Sequence, residues 1–96
     1  MKKVFALVSE KHAPARLVEK IKGEIRKYLK RERGKTLPEG ADYWDFDCRT
    51  GQSAEVAQPV HVKELGRSVE LALENSWGSI YIEILAKEAS RRRSGD

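Results

Sequence analysis

Pro14 is followed by apolar residues at positions 17, 18, 21, 25, 28 and 29, and this spacing constrains the fold more than any other feature of the chain. At about 100° per residue, Leu17, Val18, Ile21, Ile25, Tyr28 and Leu29 fall within about 120° of one another, the stripe of an amphipathic helix that covers a sheet. Proline suits the start of such a helix, because the N–H it lacks would have no intrahelical partner there. The pattern predicts a helix from Pro14 to the neighbourhood of Gly34. Gly23 lies off the stripe and lowers helix propensity by roughly 1 kcal/mol relative to Ala, so it marks a tolerated position or a close approach by something else.

The remaining segments supply the sheet. Lys3 to Val8 is short and apolar and is expected as a strand buried on both faces. Asp42 to Arg49 alternates, with Trp44, Phe46 and Cys48 on one side. Thr50-Gly51-Gln52-Ser53 reads as a turn, and Glu55 to Val60 as a return strand that Pro59 confines to an edge. From Val62, the spacing of Leu65, Val69, Ala72 and Leu73 predicts a second helix that closes at Asn75-Ser76. Ser79 to Lys87 alternates again, with Ile80, Ile82, Ile84 and Ala86 facing one way and Tyr81, Glu83, Leu85 and Lys87 the other.

This order predicts an α+β two-layer sandwich of the split βαβ, ferredoxin-like type (βαββαβ), with two helices on one face of a mainly antiparallel sheet. Without the strand at 55–60, a three-stranded α/β layer remains. A chain of 96 residues has material for one core, so a single domain over 1–88 is expected, followed by a disordered basic tail over 89–96.

Charge is distributed unevenly along this frame. Residues 1–35 hold twelve basic and four acidic side chains, 36–90 hold four basic and ten acidic, and 91–96 hold three basic and one acidic. From Arg16 to Lys35 nine Lys or Arg meet three Glu, and over the last third of the predicted helix Arg26, Lys27, Lys30, Arg31, Arg33 and Lys35 meet only Glu32. Cations clustered on a rigid element gain affinity for polyanions by releasing the counterions condensed on phosphates. These six residues are the candidate nucleic-acid contacts, with RNA favoured over DNA and Arg91 to Arg93 as a second contact. An amphipathic helix must also present something polar to solvent, and Glu19 and Glu24 stand at pairing distance from Lys20, Lys22 and Lys27 in sequence. The acidic middle of the chain can also fold back on the helix, so a solvated or internally paired face is the competing reading.

Three further constellations bear on function. Tyr43 and Tyr81 fall on the sheet face away from the helices, where bases can stack on exposed rings, but the aromatic signature of an RNA-recognition module is missing. Asp45 and Asp47 project from one strand face about 6 to 7 Å apart, with Glu83 across the sheet. They allow a metal-dependent hydrolase, against an ordinary solvated face on which Asp47 pairs with Arg49. His12, His61 and Cys48 lack zinc-ligand spacing, His61 suits a helix-capping role with Glu64, and no phosphate-binding glycine loop occurs. No catalytic, metal or cofactor site is assigned, and a non-enzymatic role is preferred. An acidic protein partner, or a second copy forming a homodimer, is the alternative to nucleic acid.

The single cysteine excludes an internal disulfide and fits a reducing cytoplasm. Met-Lys-Lys-Val-Phe-Ala-Leu-Val resembles the start of a secretory signal, yet Ser9-Glu10-Lys11 interrupts it before a signal core or membrane span is reached, so a soluble cytoplasmic protein without membrane contact is expected.

The segments Arg-Lys-Tyr-Leu-Lys-Arg-Glu-Arg (26–33), Leu-Pro-Glu-Gly-x-Asp-x-Trp-Asp-Phe-Asp-Cys (37–48) and Ile-Tyr-Ile-Glu-Ile-Leu-Ala-Lys (80–87) resemble a small bacterial family of domains of unknown function. The resemblance spans nearly the whole chain. It implies a free-standing bacterial protein and carries over no catalytic residue.

Overall fold

The computed structural model describes residues 1–91. The elements run β1 (Lys2–Ala6), α1 (Pro14–Arg33), β2 (Tyr43–Gly51), β3 (Gln58–Val60), α2 (Leu65–Glu74) and β4 (Ser79–Ala89), with single 3-10 turns at Ala54–Val56 and Val62–Glu64. The four strands form one sheet in the order β1-β4-β2-β3, every pair antiparallel. Each βαβ unit is therefore split by a strand of the other: β4 lies between β1 and β2, and β2 lies between β3 and β4. The result is a two-layer α+β sandwich with two helices on an open antiparallel sheet.

The stripe of α1 does what its spacing predicts. Val18, Ile21, Ile25 and Leu29 are buried, and Leu17 and Tyr28 are half-buried at its margins. The four buried residues meet Phe46 and Cys48 of β2, Ile80, Ile82 and Ile84 of β4, and Leu65, Val69 and Ala72 of α2 in one core cluster, with Tyr28 packed against it. Cations suit the last turn of α1, where Lys30, Arg31 and Arg33 complement the exposed carbonyls of the helix end. His61 flanks the turn before α2, its ring Nδ1 accepting from the N–H of Lys63 at 3.1 Å. That helix ends as expected: Ser76 takes a positive φ of 60°, and the N–H of Trp77 donates back to the carbonyl of Ala72.

Two expectations need correction. β1 is not buried on both faces: it is an edge strand in which Phe5 is buried while Val4 is 58% exposed. Its run of apolar residues hides this, because exposure of a strand depends on its place in the sheet, which distant segments decide. The return strand is only Gln58–Val60, paired to Cys48, Arg49 and Thr50, because 54–56 is used for a 3-10 turn. At the other end, β4 extends beyond Lys87 to Ala89, and the N–H of Arg91 and the hydroxyl of Ser90 both donate to the carboxylate of Asp42. Of the tail expected at 89–96, residues 92–96 lie outside the described residues.

Candidate nucleic-acid interface

The six candidate cations share one end of α1 but differ in surroundings. Arg26, Lys27 and Lys30 are exposed and form no ion pair among the described residues. Arg33 is exposed as well, with its guanidinium 5.2 Å from the centre of the Phe46 ring. Arg31 stacks on Tyr28 at 5.4 Å and reaches Glu32 at 3.9 Å. Lys35 is committed to Glu32, 2.8 Å away. Glu32 is the feature sequence reasoning missed: it is only 9% exposed, turned inward at the helix end, where Lys35 compensates it. The carbonyl of Lys35 also accepts from the indole N–H of Trp44 at 2.9 Å, which fixes the chain as it leaves α1.

Among the described residues the acidic middle of the chain forms an ion pair with α1 at one point. Glu70 of α2 pairs with Lys22 at 2.6 Å, holding the Glu70 carboxyl below the usual range and raising the Lys22 ammonium, and Glu19 adds a second contact to Lys22 at 3.6 Å. The expected local pairing of Glu24 is replaced by a contact with Lys3 of β1 at 3.2 Å. Lys20 and Lys27 thus remain without a carboxylate partner among the described residues.

The open face of the sheet has a different character. Register places Tyr43, Asp45, Asp47 and Arg49 of β2 beside Ala89, Lys87, Leu85 and Glu83 of β4. Arg49 does not pair with Asp47. It pairs with Glu83 at 3.6 Å and donates to the carbonyl of Ala57 at 2.9 Å. Glu83 is buried and accepts from the hydroxyl of Tyr81 at 2.8 Å, which, with burial of the ring, raises the Tyr81 pKa. Tyr81, expected as a presentable ring, is only 8% exposed. The segment carrying the 3-10 turn closes on this face, and Gly51 permits it: a Cβ there would lie 2.7 Å from the Cα of Ala57.

Tyr43 keeps 36% exposure under the guanidinium of Arg91, 4.9 Å from its centroid. Asp47 pairs with Lys87 at 2.8 Å and raises its pKa, while Asp45 accepts from the N–H of Phe46 at 2.8 Å. A concavity of ≈ 540 Å³ follows this edge of β2 to Val60 and His61. Among the described residues no group of three or more His, Cys, Asp or Glu is placed to hold a metal. Cys48 faces the core, and burial, then Asp47 and Asp45, push its thiol up to about 11, so it is protonated and weakly nucleophilic at neutral pH.

The molecule is thus a split βαβ sandwich with a basic helix on its outside and an internally compensated sheet face. It belongs to the family of unknown function DUF6172, whose model matches residues 1–95. No curated protein and no solved structure matches the chain. No helix among the described residues is long and apolar enough to cross a membrane.

Proposed function

We propose that the protein binds nucleic acid, RNA in preference to DNA, by laying the outer face of α1 against the phosphate backbone. The observation that carries the reading is the set Arg26, Lys27 and Lys30: three neighbouring exposed cations with no carboxylate partner among the described residues, on a rigid helix. Arg33 extends the set. Arg31 and Lys35 contribute less, since Glu32 already offsets part of their charge. Contacts of this kind fix position on a backbone and read little base sequence.

The test is fluorescence anisotropy of labelled mixed-sequence RNA and DNA at several salt concentrations. Four to five neutralised phosphates give a slope of log K against log salt of roughly −3 to −4.5. Millimolar binding without salt dependence would sink the proposal. The bacterial cytoplasm is the setting we assign, on the single buried free thiol and the family resemblance of the sequence.

Docking of an acidic protein on the same helix is the second reading, because the same exposed cations complement acidic side chains as well as phosphates. Partners retained from a nuclease-treated lysate, together with failure to bind RNA, would select it.

A further inference from the structure

Gly23 stands in the interior of α1, where glycine costs helix stability. On the helical wheel it points directly away from the core stripe. Arg16, Lys20, Arg26, Lys27 and Lys30 lie within about 60° of it on either side, with Glu19 as the one acid, and Glu19 is engaged with Lys22. The glycine therefore sits at the centre of the cationic surface.

Nothing inside the fold requires it. Apart from its chain neighbours and the helix's own backbone, the one described atom within 4 Å of a Cβ at position 23 is an Nη of Arg26, at 3.9 Å, an ordinary contact. Gly51 shows what an internal reason looks like: there the backbone of Ala57 occupies the place of a Cβ, 2.7 Å away. Gly23 has room for a methyl group and lacks one.

Resting on the nucleic-acid reading above, we infer that Gly23 is where the phosphodiester backbone crosses α1, the missing side chain letting a phosphate approach the helix while the surrounding cations take the phosphates beside it. Gly23 is half-buried among these long side chains, and a helical surface without a side chain of its own between cations suits a contact made by a chain rather than by a point charge. An acidic protein helix crossing at the same place is the competing outcome.

Gly23→Ala and Gly23→Leu in the full-length chain test this, because both residues are better helix formers and a Cβ at position 23 meets only an ordinary contact with a flexible arginine. Thermal melting should rise by about 3–6 °C for Gly23→Ala. The Kd for a fluorescein-labelled mixed-sequence RNA, measured by anisotropy as single strand and as duplex, should weaken by about 3- to 10-fold for Gly23→Ala and by more than about 10-fold for Gly23→Leu. A more stable protein that binds RNA less well is a pairing that a purely structural glycine does not produce. If both variants bind within about 2-fold of the parent while Lys27→Gln/Lys30→Gln still weakens binding, the crossing is wrong and the nucleic-acid reading stands. If the parent binds neither RNA, both fall, and loss of an acidic protein partner in Gly23→Leu would then assign the glycine to that partner.

Discussion

The outer face of α1 and the open face of the sheet both carry dense charge, but they handle it in opposite ways. On the sheet, Arg49 meets Glu83 and Ala57, Lys87 meets Asp47, and the hydroxyl of Tyr81 meets Glu83. On the helix, Arg26, Lys27 and Lys30 extend into solvent with no such partner among the described residues. The difference teaches that charge density alone does not mark an interface. Charge that the fold compensates serves stability, and charge left over is available to something else. Substitutions on the two faces should therefore separate cleanly, the helix changing binding and the sheet changing stability.

The largest effect is expected from Arg26→Gln/Lys27→Gln/Lys30→Gln. Removing three phosphate contacts should weaken RNA binding by about 100-fold near physiological salt and flatten the salt slope by roughly 2 to 2.7, with the urea midpoint almost unchanged. An equal loss from Lys87→Gln would erase the contrast between the faces.

Gly51→Ala comes next. A Cβ at 2.7 Å from the Cα of Ala57 forces backbone apart, and a loss of about 1–3 kcal/mol in urea titrations is expected, with RNA affinity retained. Glu83→Gln should cost about 1–2 kcal/mol, because it leaves the Arg49 guanidinium without its counter-charge while keeping an acceptor for Tyr81.

The Tyr81 hydroxyl gives the comparison a pH dependence. Its pKa is raised, first by the hydrogen bond to Glu83 and then by burial, so its contribution is intact below the ordinary tyrosine value of about 10 and is lost as pH rises through the higher folded value. Melting temperature against pH should fall in that alkaline window, and Tyr81→Phe should remove this part of the fall. The smallest effect is expected for Asp47→Asn, which breaks an exposed pair with Lys87 and should cost less than about 1 kcal/mol.

Much of the fold was legible because its signals are local. Pro14 and the stripe behind it predict α1, observed as Pro14–Arg33, and the alternation of Trp44, Phe46 and Cys48 places β2 with its apolar side inward. What failed depends on contacts between segments far apart in sequence. The exposure of Val4 follows from the edge position of β1, and the burial of Tyr81 goes with its hydrogen bond to Glu83, itself paired with Arg49 from the neighbouring strand. The six cations were visible as a cluster, but their inequality was not. Glu32 reads as an ordinary surface acid in the sequence, and only its inward position shows that Lys35 is spoken for.

The strand order also bears on how the chain reaches this structure. Among the described residues β1 has no neighbour except β4, and every residue of β2 pairs with β4 as well, from Tyr43 opposite Ala89 to Gly51 opposite Tyr81. A nascent chain that has not yet released Ser79–Ala89 from the ribosome can form α1, but it has no complete sheet on which to set Ile21, Ile25 and Leu29. Folding of this domain therefore waits on β4, and until then a greasy helix side and two unzipped strands are exposed to chaperones and proteases.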